Sequence, residues 1–316
     1  MMNQNKAVMA GAGFMGASLA QVYALAGYET WIYNRSESGL EKGKHLIQVN
    51  QEEMVREGLI TKEQSDAVHE KIHYTTSKEC FSDCCIVVES LVEQLDVKQG
   101  FFSEISRIVP DEALLASNTS GLHITDIASD CRYPERFMGQ HWLNPPHLLP
   151  LCEIIAGART SEENIRKMRE LVKGLGKRPV VVADINGFIV NRIQFAMLRE
   201  ALNIVEMGAA TAADIDNVLK AGMGIRYAAL GPFGIVDQGG IDSFDNISAY
   251  LFRDLSDEKS ESSTLKAMVE RGELGVKSGK GFYDYSGDKA EEAIRNRDRK
   301  FIQLAKVLYF GKNNRI

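Results

Sequence analysis

The sequence predicts an α/β protein in which a doubly wound, mostly parallel sheet is followed by an all-α C-terminal domain. An apolar run at Lys6–Ala10 leads through a glycine-rich turn into a helical segment and then into a second short strand. From there to Asp184, short apolar runs alternate with helical segments, which is typical of a parallel sheet. After Asp184 the periodicity is helical. The chain has 316 residues, which leaves room for two domains of about 150 residues each.

The composition is that of a globular protein and excludes several classes of function. Hydrophobic residues make up 44% of the chain and charged residues 25%, and the net charge is −6. This balance argues against nucleic acid or an anionic membrane as the main partner. The five cysteines lack metal-binding spacing, so we expect free thiols, a cytoplasmic location and no metal. The uncharged stretch Ala7–Gly27 resembles a signal peptide, but four glycines interrupt it.

The first domain is expected to contain seven strands with helices between them. The expected strands are Lys6–Ala10, Glu29–Tyr33, Ile86–Val88, Leu114–Ala116, Phe137–Gly139, Cys152–Ile155 and Pro179–Ala183. The expected helices are Ala17–Ala26, which ends at Gly27, two helices within Glu37–His73 on either side of Gly58, and Val97–Ile108.

The second domain is expected to begin near Ile185-Asn186-Gly187. This gives a dinucleotide-binding domain over residues 1–185 and a helical domain for substrate binding and dimerisation over residues 186–316. Helices are expected at Asn191–Met207, Ala212–Ala221 and Ser243–Leu255. A glycine-rich stretch, Gly222–Gly240, separates the last two of these helices.

The glycines after the first strand form a dinucleotide-binding fingerprint. They are Gly11, Gly13 and Gly16, with Phe14 and Met15 between the last two. A GxGxxG motif alone is weak, but here it follows a strand and opens a helix, which is the context that the motif requires. Gly11 permits the tight turn, Gly13 lets the backbone approach a pyrophosphate, and Gly16 allows close packing of helix and strand. A Rossmann-type domain is therefore expected.

The end of the second strand favours NADP over NAD. An acidic residue there would bind the 2′-hydroxyl of NAD, but this chain has Asn34-Arg35-Ser36. Asn34 does not repel a phosphate, and Arg35 can pair with one. Two alternatives stay open: Glu37 could hold the ribose of NAD, or the segment could be a surface turn.

A histidine and a glutamate together suggest a general base. Ser117-Asn118-Thr119-Ser120 ends one strand at the carboxyl edge of the sheet, where ligands bind. His141 lies in the next strand region, and Glu153 interrupts an apolar strand. A buried glutamate needs a partner. If that partner is His141, Glu153 fixes its tautomer and makes it a base that works near neutral pH.

Taken in order and spacing, these motifs resemble the L-3-hydroxyacyl-CoA dehydrogenase family over nearly the full length of the chain. The matching segments are Gly11–Gly16, Val88–Glu93, Ser117–Ser120, His141 with Asn144-Pro145, Glu153, Asn186–Arg192 and Lys277–Tyr283. The resemblance implies a Rossmann domain followed by a helical domain that usually forms a homodimer.

The resemblance also implies a role for each matching residue. His141 would be the general base, Glu153 its orienting partner, Ser120 the group bonded to the substrate oxygen, and Asn191 the group that steadies the substrate carbonyl. Glu93, Lys98, Asn144 and Lys277 match positions that line the cofactor, in addition to the glycine motif and Asn34-Arg35.

Two departures from the family pattern bear on the cofactor and the substrate. The aspartate that is typical at the second strand is Asn34 here, and a basic position that meets CoA phosphate falls on Glu57. Within the family, the second domain resembles the branch of gulonate 3-dehydrogenase and lambda-crystallin, through Gly222–Ala228 and Gly231-Pro232. L-carnitine dehydrogenase is similar in that region. Those relatives handle free hydroxy acids, and Arg226 could bind a substrate carboxylate.

The sequence therefore predicts an NAD(P)-dependent oxidoreductase that interconverts a small free L-3-hydroxy acid and its 3-oxo form. One alternative is a short-chain 3-hydroxybutyryl-CoA dehydrogenase of fatty acid metabolism. Another, from a different class, is a crystallin-like structural protein that binds the cofactor. A salt bridge from Arg226 to Glu200, Asp214 or Asp216 is the alternative to a substrate contact.

Overall fold

The computed structural model describes residues 2–309, and these contain one eight-stranded sheet. The strands are β1 (Lys6–Ala10), β2 (Glu29–Tyr33), β3 (Ile72–Thr75), β4 (Ile86–Glu89), β5 (Leu114–Ser117), β6 (Phe137–Trp142), β7 (Leu151–Ala156) and β8 (Arg178–Ala183). Their order across the sheet is β3-β2-β1-β4-β5-β6-β7-β8.

The sheet is parallel except at one place. β6 and β7 run antiparallel and are joined by the loop of residues 143–150. All other neighbouring strands are parallel. The predicted α/β class with a doubly wound sheet is confirmed, and the antiparallel pair is an addition that the strand pattern alone does not reveal.

The helices alternate with the strands in the first part of the chain and follow one another in the second. They are α1 (Phe14–Leu25), α2 (Glu37–Arg56), α3 (Lys62–Lys71), α4 (Leu95–Ile105), α5 (Ile124–Ile127), α6 (Glu162–Gly174), α7 (Val190–Glu206), α8 (Ala212–Val218), α9 (Gly224–Gly239), α10 (Ile241–Leu251), α11 (Ser263–Glu270) and α12 (Lys289–Leu308).

Both faces of the sheet are buried at its centre, in β1, β4 and β5. In β1, Ala7 and Met9 belong to a cluster on one face together with Leu19 of α1. Val8 belongs to the cluster on the other face, together with Phe102 of α4. Strands covered on both sides read as continuous apolar runs, which is why the central strands were visible in the sequence.

Three elements of the first part, β3, α5 and α6, are absent from the sequence prediction. β3 is a four-residue edge strand that follows α3 directly, and its polar residues read as the end of a helix. The sequence does contain two signals for α6, an N-terminal cap and a helical spacing of apolar residues. Ser161 caps it by accepting from the N–H of Asn164, and its buried residues Ile165, Met168 and Val172 follow a helical period.

The chain divides into two compact units. The second unit comprises Arg192–Arg297, and the first contains the residues up to Asn191 together with those from Asp298 onwards. The expected domain boundary at residue 185 stays a prediction. In this division the C-terminal residues 298–309 group with the first unit. Ile302 of α12 is fully buried in a cluster with Met54, Ile60 and Leu148 of the first unit.

The stretch Gly222–Gly240 lies between α8 and α10, as the sequence predicts, but it is itself mostly helical. α9 occupies it, after a π-helical turn at Leu219–Met223. The alanines and leucine among the glycines favour helix. The interruption lies at Gly231, whose φ of 70° suits glycine, and Pro232 then starts the next helical turn.

All five cysteines are unpaired. None of the helices within residues 2–309 has the length and apolar character needed to cross a membrane.

Candidate active site

The register of the antiparallel pair β6–β7 places His141 opposite Glu153. The two residues are direct partners in the strand ladder, and His141 Nδ1 lies 2.7 Å from Glu153 Oε2. Their exposed fractions are only 5% and 1%. Because an ionised carboxylate can only accept, Nδ1 carries the proton and donates it to the hydrogen bond, which leaves a lone pair on Nε2. This is the arrangement that a general base requires.

The second carboxylate oxygen of Glu153 is also used. Glu153 Oε1 accepts from the backbone N–H groups of Ile189 and Val190 at the start of α7, both at 3.0 Å. Burial opposes ionisation of this carboxyl, but the hydrogen bonds from His141, Val190 and Ile189 outweigh it and lower the pKa of Glu153. Glu153 therefore stays ionised at neutral pH and holds the proton on His141 Nδ1.

The turn before α7 also packs on the histidine. Phe188 is fully buried, and its ring centre lies 5.5 Å from that of His141. Its φ is 50°, an uncommon conformation for a bulky residue. Because Glu153 binds the two N–H groups that follow Phe188, one carboxylate orients the imidazole and fixes the turn that covers it.

Ser120 is held from both sides through its backbone. Its N–H donates to Glu93 Oε1 at 2.7 Å, and its carbonyl accepts from Asn191 Nδ2 at 2.7 Å. Ser120 is exposed, and its hydroxyl has no hydrogen-bond partner among residues 2–309. The structure thus links Ser120 and Asn191 by a hydrogen bond and leaves the serine hydroxyl available for a ligand.

The end of β5 is tied to the end of β6 by Asn118. Asn118 Oδ1 accepts from the N–H of Trp142 at 3.0 Å, while Ser117 pairs with Gly139 in the ladder. Ser120 follows the end of β5, and His141 lies near the end of the neighbouring strand β6. The two residues are therefore at the same edge of the sheet.

A buried ion pair between Lys98 and Glu89 supports the segment that contains Ser120. The sequence predicts Lys98 as a site residue but not Glu89. Lys98 is fully buried and bonds Glu89 Oε1 at 2.7 Å and Glu93 Oε2 at 3.2 Å. Glu89 also accepts from Ser117 Oγ at 2.6 Å. The sequence signal for Glu89 is similar to that for Glu153, since each is a carboxylate in an apolar strand. Lys98 has no exposed surface with which to contact a ligand. Any effect of Lys98 on ligand binding would therefore pass through Glu93.

The β1–α1 turn has the shape that a dinucleotide needs. Gly11 has a φ of 114°, and a Cβ there would lie 2.6 Å from the carbonyl oxygen of Ser90. A Cβ on Gly16 would lie 1.9 Å from the carbonyl oxygen of Gly11. A Cβ on Gly13 would have no heavy atom within 4 Å, so space is open beside the N-terminus of α1, where a pyrophosphate is favoured. The residues present fit a nicotinamide dinucleotide.

The turn after β2 has an internally bonded asparagine and an exposed arginine. Asn34 Nδ2 donates to the carbonyl of Ser36 at 3.0 Å, and Asn34 Oδ1 lies 3.4 Å from the N–H of Ala12. Arg35 is exposed and forms no ion pair among residues 2–309. Glu37 accepts from Thr76 Oγ1 at 3.4 Å.

Three further residues of the predicted site are exposed to solvent, and their roles stay predictions. Asn144 is an exposed residue of the β6–β7 loop. Lys277 and Arg226 are exposed residues of the second unit. His123, three residues after Ser120, has its Nδ1 3.3 Å from Asp184 Oδ1. Residues 2–309 contain no group of three or more His, Cys, Asp or Glu side chains that could hold a metal ion.

Arg226 lacks the salt bridge that was the alternative to a substrate contact. Each of the three candidate carboxylates has another partner within residues 2–309. Glu200 accepts from the N–H of Ser256, Asp214 from Thr211, and Asp216 from Lys220.

Comparison with known proteins identifies the family. The family model described as "3-hydroxyacyl-CoA dehydrogenase, NAD binding domain" matches residues 6–185, and the model of the C-terminal domain of the same family matches residues 187–285.

Individual relatives agree with this. The chain is 38% identical to a probable 3-hydroxybutyryl-CoA dehydrogenase of Deinococcus radiodurans. This alignment spans 276 residues, which are 87% of this chain and 98% of the relative. It is 30% identical to 5-formyl-3-hydroxy-2-methylpyridine 4-carboxylate 5-dehydrogenase of Mesorhizobium japonicum, over 94% of this chain and 96% of the relative. A crystal structure of an enzyme of that activity, described as an NAD+-dependent dismutase, superposes with a TM-score of 0.90 at 28% identity and covers 97% of this chain and 99% of its own.

The glycine turn, the His141–Glu153 pair and these matches lead to one conclusion. The chain belongs to the 3-hydroxyacyl-CoA dehydrogenase family and is a nicotinamide-dependent dehydrogenase.

Proposed function

We propose that the protein interconverts a small L-3-hydroxy acid, bound as a free carboxylate, and its 3-oxo form, with NADP as the hydride carrier. The observation that carries the chemistry is the buried His141–Glu153 pair, hydrogen-bonded at 2.7 Å. It lies on the sheet whose β1–α1 turn fits a dinucleotide.

The residues divide the work of the reaction. In the oxidising direction, His141 Nε2 removes the proton of the 3-hydroxyl group while a hydride leaves C3. The nicotinamide ring, when bound, supplies the C4 atom that accepts this hydride. Ser120 Oγ bonds the oxygen on C3, and Asn191 steadies the substrate carbonyl. Glu153 stabilises the imidazolium that forms, and the proton later leaves from His141, so that the products are the 3-oxo acid, the reduced cofactor and one proton.

The first prediction tests the base. His141→Gln removes the basic nitrogen, and we expect kcat to fall by about 10²–10⁴-fold with cofactor binding and circular dichroism unchanged. Glu153→Gln should lose less, because the base remains but is less well oriented. The matched control is His45→Gln, which alters an exposed histidine of α2. Turnover close to wild type in His141→Gln would refute the proposed role.

NADP is favoured by the turn after β2. The position where an acidic residue would bind the ribose hydroxyls of NAD is occupied by Asn34, whose amide bonds to Ser36. Arg35 is exposed beside it without an ion pair among residues 2–309, and its planar fork suits a 2′-phosphate. The competing possibility is NAD, which the structural relative named above uses.

The second prediction concerns this choice. We expect NADPH to bind at least tenfold more tightly than NADH, because a charge-assisted hydrogen bond forms only with the 2′-phosphate. Arg35→Ala should remove the difference, and Asn34→Asp should reverse it. Lys42→Ala is the control, since it removes a neighbouring exposed cation of α2. Calorimetry that gives equal affinities, or a preference for NADH in the wild type, would assign NAD instead.

A free carboxylate substrate is favoured by two observations. Arg226 is exposed, and the three carboxylates that could have paired with it have other partners. The relative that superposes with a TM-score of 0.90 acts, by its name, on a carboxylic acid. The likeness of the second domain to the gulonate 3-dehydrogenase and lambda-crystallin branch stays a prediction.

The third prediction concerns Arg226. Arg226→Met should raise KM for a free 3-hydroxy acid by roughly 10–150-fold, the equivalent of losing one charged hydrogen-bonded pair of about 1.5–3 kcal/mol. Cofactor affinity should not change. Arg253→Met, at another exposed arginine of the same unit, is the control. A lower melting temperature with an unchanged KM would instead make Arg226 a structural residue.

A short-chain 3-hydroxyacyl-CoA is the second candidate substrate. A groove of about 560 Å³ between α2 and α3 is lined by the cationic residues Lys44, Arg56 and Lys62 and by the acidic residue Glu52. Arg56 and Lys62 are paired with Glu53 and Asp66, so Lys44 is the cation there that would meet a phosphorylated ligand. Lys306 of α12 donates a hydrogen bond to the carbonyl of Glu57. It therefore places a positive charge at the turn that contains Glu57.

An oxidation assay with NADPH or NADH separates the candidates. Higher kcat/KM with acetoacetyl-CoA than with free 3-oxo acids would favour the CoA ester. No turnover of either, with the cofactor bound, would favour a crystallin-like structural protein. The cytoplasmic location stays a prediction.

We also propose that the protein is a homodimer through its second unit. That unit exposes many large apolar side chains, including Phe233 at 84% and Phe252 at 73%. α7 buries only Leu202 and exposes Ile193 and Phe195. Apolar surface of this extent marks an interaction site.

The fourth prediction tests the dimer. Light scattering at micromolar concentration should give twice the chain mass of 35.1 kDa, with an interface that buries well over 1,000 Å² as stable interfaces do. Phe233→Glu should shift the protein towards monomer. Val49→Glu, at a half-exposed apolar residue of α2, should not. A monomer in the wild type would refute the proposal.

A further inference from the structure

Lys177 is a buried lysine whose partners are all backbone carbonyls. It lies between α6 and β8 with an exposed fraction of 4%. Its Nζ donates to the carbonyl oxygens of Pro146, Leu149 and His147 at 2.9, 3.1 and 3.4 Å. An ammonium group has three N–H donors, so the three carbonyls satisfy all of them.

This position is unfavourable for a charge, so its occupation by lysine needs a reason. Burial lowers the pKa of Lys177 to about 7, and no carboxylate forms an ion pair with it among residues 2–309. A buried lysine is usually paired with an acidic group. Here the compensation comes from the backbone of one loop, residues 143–150, whose carbonyls converge on a single nitrogen.

The same loop is anchored on its other side by an apolar side chain. Leu148 is 1% exposed and packs in the cluster that contains Met54, Ile60 and Ile302. Residues 145–148 are all buried, whereas Asn144 is exposed. The loop is therefore fixed at its centre and presents Asn144 to solvent two residues after Trp142, the last residue of β6.

We propose that Lys177 is a positioning residue of the dehydrogenase, which holds the loop 143–150 so that Asn144 faces the cofactor. The proposal builds on the proposed dehydrogenase function and on the cofactor contact that the family resemblance implies for Asn144. Lys177 itself touches neither cofactor nor substrate. It acts because its three hydrogen bonds fix the backbone that directly follows the His141 strand.

The test measures cofactor affinity by fluorescence titration with NADPH and NADH, at a temperature well below the melting transition of each variant. Lys177→Met keeps the length of the side chain but removes its donors. We expect Kd for the preferred cofactor to rise about tenfold or more and kcat to fall, with a smaller change in KM for the hydroxy acid. Lys173→Met, at a half-exposed lysine of α6, is the matched control and should leave these values unchanged.

A double-mutant cycle separates positioning from general stability. If Lys177 acts through Asn144, then Lys177→Met should add little to the Kd of an Asn144→Ala variant, because the contact is already lost. Independent, additive effects would overturn the proposal. Leu148→Ala releases the loop from its other side and should also weaken cofactor binding, which keeps the test decisive if Lys177→Met does not fold.

The experiments give different results if the positioning role of Lys177 is wrong and if the cofactor contact of Asn144 is wrong. If Asn144→Ala weakens cofactor binding but Lys177→Met and Leu148→Ala only lower the melting temperature, the contact of Asn144 stands and the positioning role of Lys177 is wrong. If Asn144→Ala leaves cofactor affinity unchanged, the proposed contact itself is wrong, and the positioning role falls with it.

Discussion

The alignment of β6 with β7 is the constraint on which the candidate active site depends. Because the two strands are antiparallel and joined by one loop, their ladder puts His141 directly opposite Glu153. A shift of one residue would move every side chain of β7 to the other face and separate the pair. The hydrogen-bonded dyad is thus a product of strand register, and Glu153 extends it by fixing the two backbone N–H groups that open α7.

Carboxylates organise this edge of the sheet in a repeated way. Glu153 sits in β7 and Glu89 ends β4, and each is buried with both of its oxygens occupied. Glu153 serves the imidazole and a turn, while Glu89 holds Lys98, which in turn holds Glu93 against Ser120. Buried charges of this kind contribute little net stability, since desolvation opposes their attraction. Their effect is to fix the orientation of the His141 imidazole and the position of the Ser120 backbone.

The sequence was informative where a local rule applied and uninformative where partners are distant in the chain. The strands β1 and β2 were predicted to the residue, because apolar runs bounded by glycine have few alternatives. Glu153 could be recognised from the sequence because burying an unpaired carboxylate in an apolar strand is energetically unfavourable. Glu89 carried the same signal but was read only as part of a motif.

Other features depend on tertiary contacts that no local pattern reports. Neither the antiparallel turn between β6 and β7 nor the convergence of three carbonyls on Lys177 has a signature in neighbouring residues. The helix at Gly224–Gly239 was missed for a different reason. Glycine lowers helix propensity without forbidding helix, and only Gly231 takes a conformation that breaks it.

The path of α12 has a consequence for how members of this family can be recombined. Because Ile302 completes a cluster with Met54, Ile60 and Leu148, the nucleotide-binding unit is built from two separate stretches of the chain. An exchange of everything after a single crossover near residue 190 would remove Ile302 from this cluster. A chimaera that keeps the first unit intact needs a second crossover, near Asp298.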